Sequence, residues 1–189
     1  STQAVVGIKK VRLGLTLAFY IGRSKAFMNR LKLYYITDAY IHYLRQFDKK
    51  VPYNKNSSRP YVGVVYTYNG YNYFAPLTSP KPKHLKMSNH SIDIWKIDDG
   101  KLGIINFNNM LPSPIEVLTE VIPTVKDKVY KKLLENQISS INADRDVLLK
   151  KLERFHKKYI QNQLPSNVMD RCCQFRLLEE KCTEYISKQ

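Results

Sequence analysis

A chain of 189 residues, 43% of them hydrophobic, is long enough for one domain with a packed core, and this composition excludes extended disorder. The chain has 31 Lys and Arg against 16 Asp and Glu, so its formal net charge is +15 and its expected partner is a polyanion. Because no long uncharged apolar run is present, we expect that polyanion to be nucleic acid and expect no membrane contact.

The first residues, 1–27, are basic and partly apolar. Their apolar centre at 13–21 is not followed by a small-residue cleavage site, so we do not interpret them as a signal peptide. We expect an N-terminal extension over 1–27, and a single domain over 28–189 that begins at Met28.

The next part of the chain is typical of a β-sheet with one early helix. Strands are predicted at 33–36, 61–68, 71–77, 91–97 and 102–110. Asn69-Gly70 joins the second and third of these as a hairpin turn. A helix after the first strand has an apolar stripe at i, i+3, i+4 and i+7, made of Tyr40, Tyr43, Leu44 and Phe47. The expected sheet has at least five strands, mostly antiparallel.

The C-terminal part is predicted to be helical. Pro112 and Pro114 should end the sheet, with Ser113 as a helix cap. A long helix from about Val125, with a break near Asn142, precedes a last helix over 168–186. The inward stripe of the long helix is expected to be Val129, Leu133, Ile138, Ile141, Leu148, Leu152, Phe155 and Tyr159. Its polar face carries many cations, among them Lys131, Lys150 and Lys157, and is either solvated or RNA-facing.

A cluster of chemically active side chains follows the second hairpin strand. Its members are Thr78, Ser79, Lys81, Lys83 and His84, with Lys86 two residues further on. Hydroxyls and cations can hold a phosphate, and titratable groups can move a proton. Prolines favour extended backbone before them, and a polyproline II loop would align Thr78, Lys81 and His84 along one edge. The other interpretation is an ordinary solvated basic loop, and these residues alone leave both open.

Other common sites are absent from the sequence. There is no Gly-rich phosphate loop, no H-E-x-x-H and no G-x-S-x-G. The three cysteines, Cys172, Cys173 and Cys182, lack the paired spacing of a zinc site. We therefore expect no cofactor and no metal, and reduced thiols in the cytoplasm.

Several segments, in consistent order, resemble one family. They are Leu33-Tyr34-Tyr35-Ile36, Tyr40-Ile41-x-Tyr43-Leu44, Arg59-Pro60-Tyr61-Val62-Gly63-Val64-Val65, Tyr73-x-Ala75-Pro76-Leu77-Thr78-Ser79-Pro80-Lys81, Leu102-Gly103-Ile104-Ile105-Asn106 and Phe175-x-Leu177-Leu178-Glu179-Glu180-Lys181. Over about 33 to 185, the chain resembles the ToxN/AbiQ family of type III toxin–antitoxin endoribonucleases.

The resemblance implies an α+β fold, a strongly bent and mostly antiparallel sheet flanked by helices, similar to the Kid/MazF toxins. It implies metal-independent cleavage of single-stranded RNA, and phage defence by abortive infection. It also implies inhibition by a repetitive RNA antitoxin whose pseudoknot repeats close with the toxin into rings. The implied site is Tyr40, Arg59, Thr78, Ser79 and Lys81. Family members commonly have lysine where Arg59 stands, and a guanidinium suits phosphate binding better than proton transfer.

The mechanism expected without a metal is attack by the RNA's own 2′-hydroxyl, which leaves a 2′,3′-cyclic phosphate and a 5′-hydroxyl. Arg59 and Lys81 would stabilise the phosphorane, with Thr78 and Ser79 as donors. Lys81, relaying through Ser79, is the preferred base and His84 is its rival. Tyr40 either holds substrate or packs its helix, and Lys83 and Lys86 are expected to bind phosphates.

One expectation and one alternative function remain. The other three histidines, His42, His90 and His156, are expected at the surface. A non-catalytic basic RNA-binding module is the alternative function, since charge and 14 tyrosines, most of them ordinary packing residues, suffice for RNA binding without chemistry.

Overall fold

An antiparallel sheet runs through the part of the chain that the computed structural model describes, residues 30–188. The expected extension over 1–27 lies outside these residues, and the domain boundary at 28 stays a prediction. The strands are β1 Lys32–Ile36, β2 Tyr61–Tyr68, β3 Tyr71–Thr78, β4 Ile94–Lys96, β5 Ile104–Asn106, β6 Leu111–Pro112 and β7 Leu118–Glu120. Their order is β4-β5-β3-β2-β1-β7, and β6 pairs with β3. The mostly antiparallel sheet is confirmed, with seven strands.

Strand β3 is the centre of this sheet. One edge pairs with β2, with Tyr61 opposite Pro76, and the register shifts between Val62 and Tyr66. The other edge pairs with β6 near its start and with β5 at its end. An irregular register in a strand pair bends it. The segment that follows Thr78 therefore leaves a strand that is hydrogen-bonded on both sides.

Six α-helices surround the sheet in the described residues. They are α1 Asp38–Phe47, α2 Pro82–Lys86, α3 Lys128–Ala143, α4 Arg145–Ile160, α5 Ser166–Met169 and α6 Phe175–Ile186. Helix α1 buries Tyr40 and Leu44 of the predicted stripe and also Ile41, which was not part of it, whereas Phe47 is 38% exposed. It packs against α6, where the ring centroids of Tyr40 and Tyr185 are 4.9 Å apart.

The predicted long helix is two helices that meet at Asp144. The expected break is therefore confirmed, but the inward stripe of its first half is partly wrong. Val129 is 83% exposed, while Gln137 is buried. The Gln137 amide nitrogen donates to the Leu102 carbonyl at 2.7 Å, which gives this buried donor a partner.

The predicted last helix over 168–186 is also wrong in its first part, where α5 and α6 are separate. The connection between them is held by long-range bonds that a helix could not make. The Cys173 amide donates to the Asn108 carbonyl at 2.8 Å, and the Gln174 amide donates to Asp48 Oδ2 at 2.7 Å.

The prediction that Pro112 and Pro114 end the sheet is wrong as well. Pro112 lies in β6, and the Ser113 amide donates to the Asn72 carbonyl beside β3 at 3.0 Å. Ser113 is buried there and caps no helix; a single 3-10 turn, Ile115–Val117, precedes β7. Pairing with β3 therefore outweighs the local signal for a helix start.

The core lies between the sheet and the helices. It includes all three cysteines, which are buried and free. His42 and His90 are exposed as expected, but His156 is buried. Its ring lies 4.7 Å from that of Tyr68 and 4.8 Å from that of Tyr66. Within the described residues, none of the helices is both apolar and long enough to span a bilayer.

Candidate active site

The candidate site is built where β3 ends. Thr78 pairs with Ile104 of β5 on one side. On the other side, the Leu77 amide donates to the Pro60 carbonyl at 2.9 Å, which carries the β2 register one residue beyond the strand. The next opposite pair in that register is Arg59 and Thr78, and opposite residues of an antiparallel pair share a face. The fold therefore brings Arg59 beside the predicted loop.

The Thr78 hydroxyl is oriented by a neighbour on β5. Asn106 Nδ2 donates to Thr78 Oγ1 at 2.9 Å. Because the hydroxyl accepts this bond, its own proton is free to point elsewhere. Asn106 is a positioning residue that the sequence analysis quoted within a motif but did not assign to the site. The signal that could have found it is the pairing of β5 with β3, which is not local in sequence.

Gly103 packs against the backbone of Thr78, Ser79 and Pro80. Its φ is +101°, which glycine adopts without strain. A Cβ at this position would overlap the Thr78 carbonyl oxygen and would lie 3.3 Å from both Ser79 C and Pro80 N. The backbone of Gly103 is thus packed directly against the loop, and it limits where Thr78 and Ser79 can lie.

The loop itself differs from the prediction. Lys81 is extended, but the chain then forms the five-residue helix α2, with Pro82 in its first turn. Proline is favourable there because its missing N–H is not needed. The expected polyproline II edge formed by Thr78, Lys81 and His84 is therefore wrong. Ser79 and Lys81 remain exposed, and so do Lys83 and Lys86.

His84 is buried inside this turn. Its amide donates to the Lys81 carbonyl at 2.9 Å, and within the described residues neither ring nitrogen has a hydrogen-bond partner. Burial lowers the pKa of His84, and the charges of Lys83 and Lys81 lower it further. Since the ring does not reach the surface, direct contact with RNA, as a base or a phosphate ligand, is excluded in this conformation.

The far end of α2 is held by Lys96. Its Nζ donates to the Met87 carbonyl at 3.0 Å and lies 3.4 Å from the Leu85 carbonyl. A cation at a helix C-terminus satisfies carbonyls that lack partners in the helix. Together with Gly103, this contact fixes both sides of the segment that carries Ser79 and Lys81.

An exposed tyrosine adjoins Arg59. Arg59 Nε donates to the Tyr53 carbonyl at 2.8 Å. The Tyr53 side chain is 68% exposed, and the Arg45 guanidinium lies 3.5 Å from its ring centroid. Arg45 is itself held by the carbonyls of Lys49 and Val51. One ring face is therefore covered by a fixed cation. No sequence pattern marks Tyr53, because a lone tyrosine in a loop has no periodic signal.

Tyr40 is placed in the core. Its hydroxyl donates to the Pro112 carbonyl at 2.7 Å, and burial raises the pKa of this phenol. Of the two roles left open, packing of α1 agrees with this position, and substrate contact does not.

The lysines predicted to bind RNA from one long helix lie on two helices. Lys150 and Lys157 are exposed on α4, and Lys131 is half-buried on α3. Among residues 30–188, no group of three or more His, Cys, Asp or Glu side chains is placed to hold a metal ion.

Comparisons with known proteins identify the family of the chain. The family described as "Toxin ToxN, type III toxin-antitoxin system" matches residues 32–183. An Endoribonuclease ToxN of Bacillus thuringiensis subsp. kurstaki is 37% identical over 65% of this chain, which covers 66% of that relative's length, slightly under two thirds. An Endoribonuclease AbiQ of Lactococcus lactis subsp. lactis is 32% identical, with 65% of this chain and 72% of the relative covered.

Solved structures are similar over nearly their whole length. A structure of AbiQ, a lactococcal anti-phage endoribonuclease of a type III toxin–antitoxin system, matches with a TM-score of 0.74 and 31% identity, over 85% of this chain and 100% of that one. A type III toxin described with its selective inhibition by a non-coding RNA pseudoknot matches with a TM-score of 0.72 and 35% identity, over 83% and 98%. The chain belongs to the ToxN family of type III toxin–antitoxin systems, and its α+β fold is that of its relatives.

Proposed function

We propose that this protein is a metal-independent endoribonuclease toxin that cleaves single-stranded RNA, acts in phage defence by abortive infection and is inhibited by a repetitive RNA antitoxin. The observation that carries the proposal is the register of β2 and β3, which places Arg59 opposite Thr78 where β3 leads into the exposed Ser79 and Lys81. Family membership and the endoribonuclease activity of the named relatives support it.

The reaction is an in-line displacement at phosphorus. The 2′-oxygen loses its proton to a base and forms a bond to phosphorus, and the bond from phosphorus to the 5′-oxygen breaks. The leaving oxygen takes up a proton, which gives a 2′,3′-cyclic phosphate and a 5′-hydroxyl. The Arg59 guanidinium offsets the charge on the phosphorane oxygens, and Lys81 does so once it has taken up the proton of the 2′-oxygen. The Thr78 hydroxyl, oriented by Asn106, donates to one of these oxygens.

Lys81, relaying through Ser79, is the proposed base. Both side chains are exposed on the loop, whereas His84, the rival base, is buried. Arg59 stays protonated and supplies charge only. Tyr40 supports the site through packing, and it contributes no group to the reaction.

The proposed partner is an antitoxin RNA with pseudoknot repeats that forms a ring with the toxin. The charge of +15 supports a polyanionic partner. Exposed cations follow the site in sequence, at Lys83 and Lys86, and others lie on α4, at Lys150 and Lys157, while Lys131 is half-buried on α3. The buried free cysteines suit a reducing compartment, and we place the reaction in the cytoplasm.

Cleavage of a synthetic single-stranded RNA in EDTA tests the proposal. We expect products with 2′,3′-cyclic phosphate and 5′-hydroxyl ends, and Ser79→Ala and Lys81→Ala should each lower the rate by roughly a hundredfold or more. The matched controls Ser139→Ala and Lys126→Ala change exposed residues of the same types away from the loop. Products with a 5′-phosphate, or binding of RNA without any cleavage, would instead favour other chemistry or a non-catalytic RNA-binding module.

A further inference from the structure

A polar cavity lies at the opposite end of β3 from the candidate active site. Its volume is about 470 Å³, and its lining includes Tyr68, Asn69, Tyr159, Asn162, Arg176 and Glu179. The segment that carries Ser79 and Lys81 is called the cleavage loop from here on. Strand β3 makes seven residue steps from Tyr71 to Thr78, and at about 3.3 Å per residue it separates the cavity from the cleavage loop by roughly 23 Å. The residues of this cavity have no part in the proposed cleavage reaction.

The buried acceptor of the cavity is Glu179. The side chain is 8% exposed, and Tyr73 donates its hydroxyl proton to Oε1 at 2.6 Å. Within the described residues, Oε2 accepts no hydrogen bond, and it is not among the atoms closed off from water. It is therefore an acceptor on the cavity side that a ligand with N–H donors can use.

Aromatic rings form part of the cavity wall. The rings of Tyr68 and Tyr159 both pack against His156, with centroids 4.7 Å and 6.4 Å from the imidazole. Tyr159 also contacts Phe175, at 4.5 Å between centroids. Both tyrosines are half-buried and held by this cluster, so they offer fixed faces for a planar ligand.

The remaining polar groups stand in two tight turns. Asn69 has φ +49° and Asn162 has φ +54°, and both side chains are exposed at the rim. Arg176 is also exposed at the rim. The cavity therefore combines a carboxylate floor, aromatic walls, two amides and one guanidinium.

We propose that this cavity binds a guanine base of an RNA strand, an inference that rests on the proposed function for the presence of RNA. Guanine presents two adjacent donors, N1–H and the 2-amino group, to a carboxylate such as Glu179. Its O6 and N7 accept from a guanidinium or an amide, for which Arg176 and the rim asparagines are suited. Adenine would turn its N1 lone pair toward the carboxylate. Unpaired RNA bases are recognised in this way, by stacking and by contacts to their edges.

The test compares uridine oligonucleotides that contain one guanosine, inosine or adenosine. All sugars carry 2′-O-methyl groups, so the strands cannot be cut through their 2′-oxygen. We expect the guanosine strand to bind wild-type protein at least about fivefold tighter than the inosine strand, which lacks only the 2-amino donor. In Glu179→Gln that difference should vanish. Equal binding of the guanosine and inosine strands to the wild type would overturn the proposal.

Two further variants test the proposal even if the Glu179→Gln variant does not fold. Asn69→Gly and Asn162→Gly remove an amide while glycine keeps the positive φ. Each should weaken guanosine binding severalfold, and the exposed control Asn136→Ala should not. Guanosine monophosphate that competes as well as the oligonucleotide would overturn the assignment to an RNA strand. Cleavage of a guanine-free RNA by Glu179→Gln at the wild-type rate separates a failure here from a failure of the proposed endoribonuclease.

Discussion

Gly103 lies directly beneath Thr78, so close that a Cβ at Gly103 would overlap the Thr78 carbonyl oxygen. Gly103→Ala should therefore displace the cleavage loop and lower kcat/KM for a short RNA by roughly a hundredfold, the scale of losing a transition-state donor. Gly70→Ala is the matched control, because Gly70 also has a positive φ, +82°, but nothing lies within 4 Å of its Cβ position. It should lose stability by about 1 kcal/mol and keep its activity. Equal activity in both variants would contradict the role of Gly103.

The bond from Asn106 to the Thr78 hydroxyl predicts a difference between two substitutions. Asn106→Ala leaves the hydroxyl unoriented and should lower the cleavage rate about tenfold. Asn106→Asp should lower it further, because a carboxylate would accept the hydroxyl proton that the phosphorane needs. Combined with Thr78→Val, neither change should cost more than Thr78→Val alone. Additive losses in single-turnover cleavage would mean that Asn106 acts elsewhere.

The exposed ring of Tyr53, covered on one face by Arg45, predicts a base platform beside the scissile phosphate. Tyr53→Ala should raise KM for a short substrate about tenfold, since base stacking on an aromatic ring contributes about 1–3 kcal/mol. Tyr53→Phe keeps the ring and should behave like the wild type. If instead kcat falls and KM is unchanged in Tyr53→Ala, the effect comes through Arg59, whose Nε is bonded to the Tyr53 carbonyl.

His156 predicts a loss of stability in mild acid. Burial lowers the pKa of its imidazole to about 4, against 6.5 ordinarily. Between these pH values the unfolded state binds a proton that the folded state excludes. The free energy of unfolding is therefore not reduced by His156 above pH 6.5. It falls by about 3 kcal/mol in total as the pH drops from 6.5 through 4. Urea unfolding at several pH values should show this loss in the wild type and a shallower one in His156→Phe.

Salt should weaken binding of the antitoxin RNA steeply, because each neutralised phosphate releases counterions. For single strands, the slope of log affinity against log salt is about 0.7 per phosphate. Charge reversal of Lys131, Lys150 and Lys157 together should reduce this slope, while cleavage of a short substrate stays unchanged. Titrations of the wild type and the triple variant with the RNA that co-purifies with the protein, at several salt concentrations, measure this slope. A slope equal to that of the wild type would mean that these lysines only face solvent.

The hairpin and the position of the loop after it could be predicted because Asn69-Gly70 is a strong local turn signal. The conformation of the loop could not, since Pro82 suits both a polyproline II segment and the first turn of a helix. The position of Arg59 opposite Thr78 could not be predicted either, because it depends on the pairing of β2 with β3. Local patterns also gave no indication that His84 and His156 are buried, because tertiary packing decides where an isolated histidine lies.

Strand β3 connects both polar sites of the molecule and is hydrogen-bonded on each edge, to β2 on one side and to β6 and β5 on the other. Amide protons of such a strand exchange with solvent only through large openings of the structure. Those of Ala75 and Leu77 should therefore be among the slowest in deuterium exchange, although Ser79 follows two residues later in an exposed loop. Because the cleavage loop follows such a protected strand, we expect its conformation to be the same with and without bound RNA.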